Sequence, residues 1–235
     1  MMQTRRERQR DATREEITAT AWKQIAEHGV ASLSLRAIAR EMGVTAPGLY
    51  RYFPSRDDLV TVLIIEAFNS FSMALETSRE SCKPDDHAAR FRAICKAYFQ
   101  WALSNPQKYA LIFGTPVPGY VLDNRAGPAA QRGFLALQNV IGEAHAAGKI
   151  SGDAVTIRLP AALKSQYEVL KKYGMPYAPI VTHLALSAWS MIHGMTSLYL
   201  YGYFSGFLAD QSESFVNIEI EKMTRAIGIN GLEKK

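Results

Sequence analysis

Cysteine is scarce in this chain: Cys82 and Cys95 are the only two among 235 residues. Two cysteines build no disulfide framework, and alone they cannot supply the four ligands of a structural zinc site. No apolar stretch follows Met1-Met2-Gln3-Thr4-Arg5-Arg6, so no secretory leader is expected and a reducing, cytoplasmic setting is favoured. The chain has no glycine-rich phosphate loop, no Gly-x-Ser-x-Gly elbow and no His-Glu-x-x-His. Asp57-Asp58 and Asp85-Asp86 suit helix starts, where the macrodipole favours negative charge. No catalytic residue, metal or cofactor is therefore expected. Period-two runs rich in Val, Ile and Thr are also missing, which leaves an all-α chain.

What is present is globular composition, 48% hydrophobic and 21% charged. The net charge of +5 is unevenly placed. Residues 1–56 hold ten basic side chains against six acidic ones, so the first quarter carries nearly all of it. A basic amino-terminal region beside a near-neutral remainder points to two different partners, with nucleic acid a candidate for the first. Residues 173–209 contain no Asp, Glu, Lys or Arg. That run is long enough to cross a bilayer, but Pro176, Pro179, His183, His193 and four glycines argue for a helix buried on two sides.

Helical spacing recurs along the chain. Ile17, Ala21 and Ile25 repeat every four residues from about Arg14 to His28, and Gly29 stops that helix. The basic residues ahead of it, within 1–12, read as a flexible arm. Ser34 can cap a short helix carrying Leu35, Ile38, Ala39 and Met42 inward, and Gly43 suits its left-handed end. Thr45 can cap the next, with Pro47 in its first turn and Leu49 and Phe53 on one face. Ser55 opens a long helix to about Ser78. Further helices are expected at about 87–104, 106–113, 127–147, 154–173 (interrupted near Pro160), 177–204 and 211–228, with a Pro- and Gly-containing loop at 114–127.

Residues 34–53 form the informative unit: short helix, Gly-Val turn, short helix. Val44 is expected to plug the turn. The free face of the second helix offers Thr45, Ala46, Gly48, Tyr50, Arg51 and Tyr52. Small residues at its start let the backbone approach base edges in a major groove about 12 Å wide. Tyr hydroxyls and Arg guanidinium groups suit phosphates.

The run from Ser34 to Arg56, with its Gly-Val turn, Leu-Tyr-x-x-Phe helix and Ser-basic-acidic cap in register, resembles the DNA-binding signature of TetR/AcrR-type transcriptional regulators. The resemblance implies that Arg36 contacts bases or phosphates, and that Thr45, Ala46, Pro47, Gly48, Tyr50 and Tyr52 are recognition-helix contacts. It implies that Arg56, where the family often has lysine, anchors a phosphate. Arg51 occupies a place the family varies. Trp189-Ser190-Met191-Ile192-His193-Gly194 resembles the Trp-x-x-x-His-Gly motif of one subgroup.

The remaining expectations concern the body. Tyr98, Trp101, Tyr109, Phe113, Trp189 and His193 are candidates to line an effector cavity, as are Tyr167 and Tyr173. His193 has no carboxylate or cysteine at ligand spacing and reads as a core histidine, not a metal ligand. Val181, Leu184, Ala188, Met191, Met195 and Leu198 repeat at 3-4 spacing, and Val216, Ile220, Met223 and Ile227 at 4-3-4. Together they are expected to form a homodimer interface. The chain thus reads as a helix-turn-helix head (1–60) followed by a helical effector-binding and dimerisation body (61–235). The expected function is a ligand-responsive regulator, a repressor in the first reading, binding double-stranded DNA as a homodimer and released by a small-molecule effector, with no membrane partner. The second reading is a helical ligand-binding or interaction protein with a vestigial head.

Overall fold

A computed structural model describes residues 4–208 and 211–229, and among these the secondary structure is helical apart from one isolated bridge, Ile150–Ile229. The helices are α1 (Arg5–His28), α2 (Leu35–Glu41), α3 (Ala46–Tyr50), α4 (Arg56–Glu80), α5 (His87–Ser104), α6 (Pro106–Phe113), α7 (Gly127–Ala146), α8 (Ala161–Leu170), α9 (Pro179–Leu200), α10 (Ser205–Leu208) and α11 (Ser212–Ala226). The expected 154–173 helix is interrupted near Pro160, as its sequence indicates, and only the part after the proline is α-helical. A 3-10 turn occupies Gly152–Val155 and Pro160 becomes the N-cap of α8, because proline disfavours helix in the residue before it.

Two compact units result: Met1–Phe68 with Asn105–Pro128, and Asn69–Ser104 with Ala129–Lys235. Helix α6 and the loop after it pack into the first unit. Lys108 Nζ sits 5.6 Å from the Trp22 ring centre, Tyr120 shares a 2.9 Å hydrogen bond with Thr61, and Arg125 bridges Asp123 and Asp58.

The first unit also corrects the flexible arm. Thr4 Oγ1 accepts from the Glu7 amide at 3.2 Å, and the Glu7 carboxylate accepts from the Thr4 amide at 2.7 Å. This capping box starts α1 at Arg5, so residues 5–12 form its first turns, and Met1–Gln3 lie outside the described residues. Ile17, Ala21, Ile38, Leu49, Phe53, Leu59, Val60 and Leu63 make the unit's core, each essentially buried.

In the second unit α5, α9 and α11 pack against one another. Phe91, Ile94, Tyr98, Val181, Ala188, Ile220 and Met223 fill the space between. Helix α7 carries Gly133, where a Cβ would stand 2.5 Å from the Phe71 ring of α4; only glycine leaves that ring its place. Among the described residues one helix, α4, is long and apolar enough to cross a membrane, and 56% of that window is buried in the fold. It runs through the cores of both units, which accounts for its apolarity.

Candidate nucleic-acid interface and effector pocket

The head is assembled around one turn. Helix α2 ends at Met42, and Gly43 adopts φ +68°, a conformation side-chain-bearing residues avoid. The Val44 amide then reaches back to the Ala39 carbonyl at 2.9 Å, and the Gly43 amide to Arg40 at 3.3 Å. This is a Schellman closure, so the backbone itself holds the turn. Val44 does not plug it: its side chain is 46% exposed, and the space beneath is filled by Leu35, Ile38, Ala39 and Leu49.

Helix α3 is one short turn beyond that closure. Leu49 and Phe53 face the core, leaving Thr45, Pro47, Tyr50 and Arg51 exposed and Ala46, Gly48 and Tyr52 half-buried. Thr45 and Ser34 occupy the N-cap positions, yet neither side chain makes the capping bond. The Thr45 hydroxyl is therefore not spent on the helix. Arg36 is exposed on α2. Behind this face Lys23 and Gln24 of α1 donate to the Glu41 carboxylate of α2, and these bonds hold it below the usual carboxylate value.

Arg56 is held differently from the expectation. Its Nε donates to the Leu33 carbonyl at 3.1 Å and its Nη2 to Val30 at 3.0 Å. The guanidinium ties the loop before α2 to the first turn of α4. Ser55 caps that turn, accepting from the Asp58 amide at 3.0 Å, and the bonds from Ser55 and then Arg125 hold the Asp58 carboxyl below its ordinary value.

Arg14 donates to the Tyr52 carbonyl at 3.1 Å and lies 4.6 Å from the Phe53 ring centre. The 4-3-4 row Arg14, Thr18, Ala21, Ile25 is the signal that could have found it. Arg10 and Arg6 stand one and two turns earlier on the same helical face, both exposed.

In the second unit four of the eight expected effector residues come together. Tyr98, fully buried, shares a 2.9 Å hydrogen bond with His193 Nδ1, and its ring meets Trp189 edge-on at 5.4 Å. Phe71 of α4 contacts Tyr98 and Trp101, both at 5.0 Å, and Trp189 at 5.9 Å. Phe134 closes on Trp189 at 5.8 Å. Burial pushes His193 below its ordinary pKa, because desolvation disfavours the charged imidazolium. Among the described residues, three buried polar atoms of this unit, Ser72 Oγ, His87 Nδ1 and Gln138 Oε1, have no hydrogen-bond partner, although Gln138 Nε2 donates to Thr182. Phe71, Phe134, Ser72 and Gln138 escaped the sequence reading; only tertiary contacts and burial single them out from other core residues. Tyr109 and Phe113 lie in the first unit, where Phe113 meets Phe68 at 5.9 Å. Tyr167 reaches His183, and Tyr173 is exposed.

The expected dimer stripes are mostly internal. Val181, Leu184, Ala188, Val216, Ile220, Met223 and Ile227 are buried within the single chain; Met195 is half-buried, and only Met191 and Leu198 are exposed. The reason is geometric. A 3-4 stripe drifts about 20° per heptad on a 3.6-residue helix, so this one begins in the core and ends at the surface. The outward face of α9 carries Leu186, Ser187, Ser190, Met191, Gly194 and Leu198, and a Cβ on Gly194 would meet nothing.

Comparison with known proteins supplies two profile matches: "Bacterial regulatory proteins, tetR family" over residues 17–63, and "Tetracyclin repressor-like, C-terminal domain" over 91–222. HTH-type transcriptional regulator Rv1816 of Mycobacterium tuberculosis is 35% identical over 217 residues, spanning 86% of this chain and 88% of that protein. The crystal structure of the regulatory protein SCO4313 is 35% identical, with a TM-score of 0.77 over 94% of this chain and 98% of that one. A more distant fold match is RolR in complex with resorcinol, 16% identical, with a TM-score of 0.54 over 95% of this chain and 91% of that one.

Proposed function

This chain belongs to the tetR family of bacterial regulatory proteins and is a DNA-binding transcriptional regulator, and on that premise we propose how its parts divide the work. Two heads, one from each subunit of a homodimer, enter successive major grooves of a pseudo-palindromic operator. The grooves lie roughly 34–36 Å apart on one side of the duplex. The observation carrying this reading is the α3 face, exposed at Thr45, Pro47, Tyr50 and Arg51 and backed by a core-facing Leu49 and Phe53.

Thr45, Ala46, Pro47 and Gly48 lie close to base edges, and Arg36, Tyr50, Arg51 and Tyr52 meet bases or phosphates. Arg56 is a positioning residue that holds the helix-turn-helix through Val30 and Leu33. Arg6 and Arg10 prolong the basic face along α1.

The dimer seam is the outward face of α9, with Gly194, Ser187 and Ser190 at its centre and Leu186, Met191 and Leu198 beside them, joined by exposed Ile218 of α11. Small central residues allow close helix crossing.

The effector is a small, partly aromatic molecule carrying a hydrogen-bonding group. It enters among Phe71, Tyr98, Trp101, Trp189 and His193, where Ser72 and Gln138 supply unpaired polar atoms. Phe71 belongs to α4, and the same helix begins at Arg56. An effector that moves Phe71 therefore acts on the helix that anchors the head. Coupling of this kind is typically about 1–3 kcal/mol. Release of the operator on effector binding makes the protein a repressor acting in the bacterial cytoplasm.

Selection of bound duplexes from a random pool tests the reading. A two-fold symmetric consensus bound by the wild-type protein, and lost with Leu198→Glu, is the expected result. Sequence-indifferent binding by a monomer would overturn it.

A further inference from the structure

A second cavity, of about 380 Å³, lies in the second unit apart from the aromatic cluster. It is formed where the end of α7, the 3-10 turn at Gly152–Val155, α8 and the first turn of α9 meet. Its wall is aliphatic: Ile150, Ile157, Leu159 and Leu184. Its two ionisable lining residues are Lys164 and His145, both exposed at the surface, and no carboxylate lines it among the described residues. Glu168, one turn beyond Lys164, is paired with Lys171 at 2.7 Å instead. The N-cap of α9 is Ala178, which has no side-chain oxygen to offer that helix start.

An apolar hollow of this size lies within the range of small-molecule sites, about 300–1,000 Å³. At the mouth the Lys164 ammonium attracts an anionic head group and repels a cationic one, while an uncharged alkane gains nothing from it. We infer that this cavity is a binding site for a small amphipathic monoanion, an aliphatic tail on a single carboxylate, held by Lys164 at the mouth and by the isoleucine and leucine wall within.

The assay needs no DNA, so it succeeds or fails independently of the operator reading. Isothermal titration calorimetry of the full chain with sodium octanoate and with octylamine compares two probes with the same tail and opposite charge. Octanoate is expected to bind at least tenfold more tightly. Lys164→Glu, on an exposed face of α8, and Ile157→Glu, at a side chain 40% exposed, should each lower octanoate affinity at least tenfold with the circular dichroism unchanged. Absence of octanoate binding, equal binding of octylamine, or wild-type octanoate affinity in both variants would each overturn the assignment. The last result would place the anion elsewhere in the chain.

Discussion

In the head, each short helix is apolar on one side only. Ile38, Ala39, Leu49 and Phe53 turn inward, and the residues between them have nowhere to go but outward. In the body, α9 is apolar nearly all round, with Ala185, Ala188 and Ile192 buried on one side and Leu186, Met191 and Leu198 exposed on the other. A one-sided helix announces its free surface. A two-sided helix hides it, because either side satisfies the hydrophobic pattern equally well. The comparison teaches that sequence periodicity locates a binding face best where the element is small and half solvated.

The comparison can be sharpened, starting from the largest expected effect. Phe71→Ala removes the ring that joins Tyr98, Trp101 and Trp189, and should cost about 3–5 kcal/mol of stability. Val44→Ala, at an exposed position in the head, should change stability by less than about 0.5 kcal/mol. Urea midpoints check both, and a large loss at Val44 would restore it as the plug of the turn.

Next is the recognition face. Tyr50→Ala or Arg36→Ala should weaken specific DNA binding by about 1–3 kcal/mol and leave the fold and the dimer intact. Fluorescence anisotropy with the selected duplex, beside light scattering, reads the two separately. Wild-type affinity would remove those side chains from the interface.

Arg56 yields a smaller effect with a sharper signature. Arg56→Ala breaks its bonds to Val30 and Leu33 and should lower stability by about 1–2 kcal/mol, a range reduced for its partial exposure. Operator affinity should fall while the slope of log K against log salt stays unchanged. A slope reduced by about one unit would return Arg56 to the phosphate contacts.

The smallest effect is a pH dependence in the body. Burial lowers the folded-state pKa of His193 from its ordinary 6.5. The unfolded chain therefore takes up a proton at higher pH than the native one. The stability contribution is complete above pH 6.5 and is lost as the pH falls toward the lowered native value. His193→Gln should flatten the thermal midpoint between pH 7 and pH 5 relative to wild type. Parallel profiles would place the titrating group elsewhere.

The legible part of the site was the local part. Gly43 at a helix end, a serine three residues before an acid at Ser55, and Leu49 spaced from Phe53 are short-range signals read from neighbours in the chain. The Thr4–Glu7 box is equally local, and the reading of residues 1–12 as a flexible arm missed it in favour of their charge. What stayed illegible was long-range. Tyr109 and Tyr98 look alike in sequence, yet Tyr109 lies in the first unit and Tyr98 in the second, where it meets His193. Val181 and Met191 share a stripe, yet one is buried and the other exposed.

The amino-acid order alone determined an all-helical chain, the helix-turn-helix and its outward side chains, because hydrogen bonding within a turn and apolar spacing within a helix need no distant partner. Tertiary structure decided which side of α9 faces inward, which aromatic rings gather about Phe71, and that α6 packs with the head. Those outcomes depend on which helices find one another, and apolar contact is non-directional, so a single helix carries no record of its partner.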